Sequence, residues 1–183
     1  MIFSVRFGVP IHMSYFCSEN IIKMKANIRP SVISDSAAIL ALIKELALFE
    51  KEPESVKLTE SEIKKYGFGT SPLFECLVAE IQNEVIGMAL FYPRFSTWKG
   101  PTFHLEDLIV SEKHKGKGYG TQLYTAFIRH AHRAGVQRIE WNVLEWNAPA
   151  VRFYENSGAK VLQDWNTVQM DAQGMKNYLT KKK

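Results

Sequence analysis

"HLEDLIVSEKHKGKGYG", residues His104 to Gly120, joins a short apolar run carrying two adjacent carboxylates, Glu106 and Asp107, to a basic loop with glycines at alternate positions. The run from Phe103 to Val110 reads as a strand. "TQLYTAFIRHAHRAG", after the loop, reads as a helix with Leu123, Phe127 and Ala131 on one face and Gly135 as its stop. The glycines therefore lie between a strand and a helix, where backbone N–H groups can turn toward an anion at the helix N-terminus without obstruction by Cβ. The spacing is not the dinucleotide G-x-G-x-x-G, because Lys117 and Tyr119 each separate a single pair of glycines, and no G-K-[ST] follows as in a Walker loop. Spacing alone fits either an anion-binding loop or a plain flexible turn. The flanking His114, Lys115 and Lys117 favour phosphate, while each side chain taken singly also reads as part of a solvated basic loop.

Outward from this segment the punctuation is regular. Asn27 to Arg29 reads as a strand, and Ser34 or Asp35 then caps a helix with Ile39, Leu42, Ile43, Leu46 and Phe49 at helical spacing. Thr59 and Glu62 form a capping box for a shorter helix that Gly67 ends. "FECLVAEI" and "EVIGMALFY" predict an antiparallel hairpin about the Gln82-Asn83 turn. A loop with Pro93, Trp98, Gly100 and Pro101 leads to the strand Phe103 to Val110. "RIEWNVLEW" predicts a further strand, "APAVRFYENSG" a short helix ended by Gly158, and "AKVLQDWNTVQMD" a final hairpin. No internal repeat or low-complexity stretch is visible. Strand, helix, helix, three strands, helix, strand, helix and further strands make a mixed α/β layer structure.

A chain of 183 residues, 46% hydrophobic, holds one domain with a real core. Its two cysteines, Cys17 and Cys76, are too few and too far apart for a disulfide framework or a metal cluster; they read as small buried hydrophobes in a reducing cytoplasm, and no metal is expected. The net charge of +4 owes much to the tail Lys181-Lys182-Lys183 and is weak ground for a nucleic-acid partner. In the first 23 residues Arg6 interrupts the apolar run, Pro10 follows, and no A-x-A-like cleavage site occurs, which argues against a signal peptide and a membrane span. Residues 1–23 read as an extension, of the kind an upstream start adds, before a single domain over residues 24–183.

The glycine segment resembles the acetyl-CoA-binding segment of the GNAT acyltransferases, whose signature of Arg or Gln, two residues, Gly, one residue, Gly or Ala falls on Lys115, Gly118 and Gly120. Lysine stands where the family has Arg or Gln. "IRPSVISDSAAILALIKELALFE", "LTESEIKKYGFG", "CLVAE", "LEDLIV", "VLEWNAPAVRFYENSGA" and the later "DW" are similar, in order and spacing, to the spermidine/spermine and thialysine acetyltransferase branch, from Met24 to about Asp171. The resemblance implies a central, mostly antiparallel sheet splayed at the acetyl-CoA site and flanked by helices. It also implies a cytoplasmic homodimer that moves an acetyl group from acetyl-CoA to a primary amine of a small polyamine-like or lysine-like molecule. Other amines (an amino acid, an aminoglycoside, a protein terminus) and a non-catalytic CoA-binding module are the alternatives.

Chemistry gives these positions meaning. An alkyl ammonium with a reference pKa of about 10.4 costs roughly 4 to 5 kcal/mol to present as free amine at pH 7. Something must accept the proton, and the resemblance implies Glu106, directly or through water, with Asp107 as its neighbour. A carboxylate also stabilises an ammonium, so Glu106, with Asp107, also reads as a substrate-binding group. Adjacent residues on a strand point to opposite faces, so Glu106 and Asp107 are not expected to be an equivalent pair. The resemblance implies that Tyr154 protonates the departing thiolate, a task for which a phenol is in the right state at neutral pH; apart from the resemblance, "RFY" on a short helix reads as core. It implies that Leu108, Ile109 and Val110 pair with the pantetheine arm, a backbone N–H there serving the developing oxyanion. The cofactor set it implies is completed by Lys115, Gly116, Lys117, Gly118, Tyr119, Gly120 and Thr121 around the pyrophosphate and by Asn147, Ala148, Pro149 and Ala150 on the opposite wall of the groove. Asn147 also reads as a helix N-cap. For the amine, the resemblance implies Phe49, Glu50, Trp98, Asp164 and Trp165, aromatic faces and carboxylates suited to an alkyl ammonium; both tryptophans read equally as packing or dimer-interface residues. Neither cysteine lies in a catalytic motif, so direct attack within a ternary complex is expected.

Overall fold

The computed structural model describes residues 25–181. The expected extension over residues 1–23, Cys17 and the last two lysines of the tail lie outside the described residues. After Glu140 the chain divides into two compact units.

The first unit runs β1 (Asn27–Pro30), α1 (Ser36–Phe49), α2 (Glu60–Phe68), β2 (Glu75–Ile81), β3 (Glu84–Ser96), β4 (Gly100–Val110), α3 (Tyr119–Arg133) and β5 (Arg138–Glu140). The sheet order is β1-β2-β3-β4-β5, antiparallel throughout except for the parallel β4–β5 pair. One face of the sheet packs Cys76, Val78, Met88, Leu90 and Ile109 against Ile39 and Leu42 of α1 and Ile63 of α2. The other receives α3, where Phe127 stacks at a tilt on Phe91 with ring centroids 5.0 Å apart, and Phe91 meets Phe103 edge to face at 5.3 Å. Leu123, Phe127 and Ala131 are buried as their spacing predicts, and each large side chain removed from water contributes about 1.5–3 kcal/mol. Cys76 sits in this core, and burial pushes its thiol up to about 12, out of the reactive range.

Local signals act largely as read. Gln82 and Asn83 both take positive φ (51° and 65°), the geometry of a tight two-residue hairpin. The Thr59 N–H donates to Glu62 Oε2 at 2.9 Å while Glu62 N–H donates to Thr59 Oγ1 at 3.3 Å, completing the capping box. Four details differ. The cap of α1 is not a side-chain cap: Asp35 holds the N-cap position, but its carboxylate accepts from Val32 N–H at 2.8 Å and grips Arg29 at 2.7 and 3.0 Å. Arg29 reaches Glu80 as well, tying β1, β2 and the entry to α1 together, and it holds the Asp35 carboxyl below its ordinary range. Helix α2 ends at Gly69, not Gly67; Gly67 lies inside it, and its missing side chain makes room for the Phe74 ring, which a Cβ would approach to 2.6 Å. The expected loop around Pro93 and Pro101 is mostly strand, since β3 and β4 pair up to Ser96 and Gly100. Pro93 is tolerated because β2 stops opposite Phe91, leaving β3 with one neighbour beyond it. Phe49, placed by its spacing on the apolar face of α1, is 41% exposed at the helix end.

The second unit carries α4 (Ala148–Asn156) and α5 (Ala172–Lys181). "RIEWNVLEW" forms a strand only over Arg138–Glu140, and the hairpin expected from "AKVLQDWNTVQMD" is absent among the described residues. Val161, Leu162 and Val168 of that stretch are exposed, and strand propensity without a partner edge does not make a strand. No described helix is long and apolar enough to cross a membrane.

Candidate active site

The glycine loop links β4 to α3 through a 3-10 turn, Glu112–His114. Gly116 and Gly118 adopt φ of 75° and 83°, a conformation other residues enter only with strain. A Cβ at Gly116 would meet nothing within 4 Å, and one at Gly120 only Val110 Cγ2 at 3.9 Å. The protein thus leaves open space where an anion would approach. Gly118 is the N-cap position of α3, and Gln122 N–H, at 3.2 Å from Gly118 O, makes the first bond of that helix. The N–H groups of Tyr119, Gly120 and Thr121 precede it and have no intrahelical acceptor, so they and the helix dipole face the loop. Glu45 Oε1 of α1 anchors this loop by accepting from Glu112 N–H at 2.6 Å. Lys115 Nζ lies 2.5 Å from Glu112 Oε2 and 5.0 Å above the Phe49 ring centroid, so Lys115 and Phe49, expected at cofactor and amine respectively, are brought together. His114 is half-buried and Lys117 exposed.

Strand β5 pairs with β4 only at Thr102, Phe103 and His104. From Leu105 to Val110 that edge of β4 has no strand partner among the described residues, while Leu108, Ile109 and Val110 bond to Ala89, Met88 and Gly87 of β3 on the other side. The expected opening of the sheet therefore takes the form of a short fifth strand that exposes a row of backbone donors and acceptors. Gly87 is required opposite, since a Cβ there would lie 2.7 Å from Ile109 O.

Between these halves the ladder is irregular. Phe91 pairs with Leu105 and Leu90 with Asp107, which leaves Glu106 as one extra residue in β4. This bulge overturns the expectation that Glu106 and Asp107 face opposite ways. Asp107 stands opposite Leu90, on the sheet face of Tyr92, and the Tyr92 hydroxyl donates to Glu106 Oε2 at 2.9 Å, so both carboxylates address that same face. Burial, then the charges of Glu106 and Glu50, push the Asp107 carboxyl up to about 7. Burial likewise raises Glu50, at the end of α1. Burial and the bond to Glu106 push Tyr92 up to about 12, keeping it a donor. His104 stacks on Tyr92 with centroids 5.2 Å apart, its Nε2 3.7 Å from Glu106 Oε2. Trp98 lies in the β3–β4 turn, its N–H donating to Ser96 Oγ at 3.3 Å.

In the second unit Asn147 Oδ1 accepts from Ala150 N–H at 3.3 Å, the N-cap role read for it, with Ala148, Pro149 and Ala150 as the first turn of α4. Tyr154 lies on α4, half-buried, its ring centroid 4.9 Å from that of Trp141 and 5.3 Å from that of Phe153. Asp164 and Trp165 fall in the irregular segment before α5, both exposed. Tyr92, His104, Arg94 and Glu140 are the polar residues around the carboxylates that sequence reasoning missed. Tyr92 and His104 become visible once β3 and β4 are put in register, because a two-residue period places them on one face.

A strand edge open beside an anion-ready glycine loop, with a desolvated carboxylate a few residues away, is the equipment of an acyl-transfer enzyme. The profile of the acetyltransferase (GNAT) family matches residues 39–159. The thialysine N-epsilon-acetyltransferase of Bos taurus is 34% identical over 160 residues, covering 81% of this chain and 94% of that protein. The spermidine/spermine N(1)-acetyltransferase-like protein 1 of Homo sapiens is 31% identical over 139 residues, covering 72% of this chain and 20% of that protein. An integron cassette protein from the mobile metagenome of V. cholerae has the same fold, with a TM-score of 0.70 at 23% identity over 86% of this chain and 99% of that one. The chain belongs to the GNAT acetyltransferase family and is an acetyl-CoA-dependent N-acetyltransferase.

Proposed function

We propose that this enzyme transfers the acetyl group of acetyl-CoA directly to a primary amine of a small polyamine-like or lysine-like molecule, as a cytoplasmic homodimer whose catalytic domain spans residues 24–183. The observation that carries the reading is the bulge at Glu106. It sets two carboxylates on one face, beside the open edge of β4 and at the start of the run leading into the glycine loop. The relatives named for thialysine and for spermidine/spermine acetylation support the substrate class. Phe95 and Trp98, 72% and 78% exposed at the tip of the β3–β4 hairpin, support an interface with a second copy.

Bound acetyl-CoA supplies an electrophilic thioester carbonyl. The loop N–H groups from Gly116 to Thr121 hold the pyrophosphate, and the free edge of Leu108–Val110 holds the pantetheine amides. The resemblance assigns Asn147 and the first turn of α4 to acetyl-CoA as well. Glu106, steadied by Tyr92, meets the incoming ammonium and takes its proton directly or through water. Asp107, whose proton affinity is matched to neutral pH, is where that proton is retained. Tyr154 returns a proton to the departing thiolate. The resemblance assigns Glu50, Phe49 and Trp98 of the first unit to the amine, and Asp164 and Trp165 of the second.

A turnover screen with acetyl-CoA over spermidine, spermine, putrescine, thialysine, lysine and aminoglycosides, with mass assignment of products, tests the reading. Acetylated diamine or lysine-type product is expected. No product from any amine, with acetyl-CoA still bound, would leave a CoA-binding module instead. Gly120→Val tests the loop separately. The fold leaves room for a Cβ at this position, so calorimetry should show acetyl-CoA affinity falling about tenfold or more, the order expected when one or two charge-assisted hydrogen bonds are lost, and Gly120→Ala, which adds that Cβ alone, should lower it in the same direction with Tm near the wild-type value. Unchanged affinity would remove the phosphate role of the loop.

A further inference from the structure

Beyond the carboxylates, the same sheet face carries a second charged group of opposite sign. Strand register places Arg94, Thr102 and Arg138 in one row across β3, β4 and β5, and Tyr92, His104 and Glu140 in the next. Glu140 accepts from Arg94 through Oε1 and from Arg138 Nη2 through Oε2 at 2.9 Å. Two guanidinium groups against one carboxylate leave an excess positive charge. Neither arginine is saturated by the pair: the Arg94 side chain is 55% exposed, and Arg138 Nε is buried without a hydrogen-bond partner among the described residues. The field of this group reaches the reacting end, because Arg94 and Glu140 both act electrostatically on the Tyr92 hydroxyl that holds Glu106.

We infer that Arg94, with Glu140 and Arg138, forms a subsite for the zwitterionic head of an α-amino acid whose side-chain amine is acetylated at Glu106 and Asp107. The guanidinium of Arg94 takes the α-carboxylate, and Glu140 faces the α-ammonium. The inference rests on the amine acetyltransferase reading and narrows its substrate class to lysine-type amino acids over polyamines. Distance agrees with the chemistry. Arg94 and Tyr92 are two residues apart on one strand face, about 7 Å, and the extended side chain of a lysine-type amino acid separates its amine from its carboxylate by roughly the same length. A polyamine has only cationic heteroatoms, so its far end would meet the surplus positive charge of the arginine pair instead of a partner. Arginine suits the task because its planar fork binds a carboxylate through two parallel bonds.

Lysine against cadaverine, and ornithine against putrescine, are pairs that differ only by the carboxylate. Steady-state kcat/KM on each pair, with mass fragmentation to place the acetyl group, reads the subsite in the wild-type enzyme without any substitution. Lysine and ornithine should exceed their decarboxylated partners by roughly 10- to 100-fold, the range for a charge-assisted hydrogen bond. Arg94→Gln should bring the amino-acid to diamine ratio within each pair down by about that factor, toward 1, whatever it does to the overall rate, while Arg94→Lys should keep part of the preference. Equal wild-type values within each pair, or an Arg94→Gln enzyme with its preference intact, would overturn the subsite and leave the amine acetyltransferase reading standing. No acetylation of the four alongside turnover of spermidine would overturn the subsite alone, and no acetylation of these or of spermidine and thialysine would overturn that reading and the subsite with it.

Discussion

Tyr154→Phe should lower kcat about 100-fold or more while leaving acetyl-CoA affinity within about 2-fold of wild type, the pattern of a lost general acid. A thiolate leaving without a proton departs with its charge uncompensated, and the phenol is the group assigned to supply that proton. The substitution removes one oxygen and keeps the ring, so the packing against Trp141 and Phe153 survives. Single-turnover kinetics establish whether chemistry limits the rate, and calorimetry gives the affinity. Full kcat with chemistry limiting would take the acid role from Tyr154 and leave solvent to protonate the sulfur.

The second large effect has two readouts with opposite signs. Asp107→Asn should lower kcat/KM about 100-fold at pH 7 and also make the protein more stable above neutral pH. The activity loss follows from removing the carboxyl where the proton is retained, and the deficit should shrink as pH rises toward the pKa of the amine, because free amine becomes abundant in solution. The stability gain follows from linkage. The Asp107 carboxyl is raised to about 7 in the folded state from 3.8, so between those values the folded protein binds the extra proton. Its contribution is therefore fully present below pH 3.8, declines as pH rises, and is a penalty of a few kcal/mol above pH 7. Asparagine carries no such charge, so the unfolding free energy of the variant should lose that decline between pH 4 and 7 and exceed wild type at pH 8. Denaturant titration across this range checks it. A wild-type slope that persists in Asp107→Asn would mean Asp107 is not the desolvated group. Glu106→Gln is the contrast: a change confined to amine binding, with kcat retained at saturation, would make Glu106 an ammonium anchor.

How much of this lies in the sequence depends on the range of the interaction. The Gln82-Asn83 turn, the Thr59–Glu62 box, the Asn147 cap and the glycine-spaced link from strand to helix are decided within a few residues, and each forms as local structure where the sequence predicts it. Helix α5 was also within reach: Asp171 Oδ1 accepts from Gly174 N–H at 2.6 Å as an N-cap, and Met175, Tyr178 and Leu179 follow at helical spacing. The bulge is different in kind. No glycine or proline marks Glu106, and the extra residue exists only by comparison with β3. The arginine row likewise needs three strands in register before Arg94 and Arg138 share Glu140. The stretch 159–171 shows the converse, an apolar pattern that predicts a strand where no sheet edge receives it.

Remove Glu106 on paper and the ladder heals: Leu105 still meets Phe91, Asp107 still meets Leu90, and β4 runs without interruption. Pairing alone does not ask for that residue. In the ladder it is one stitch too many, and the bend it puts into β4 is what turns two neighbouring carboxylates to the same side.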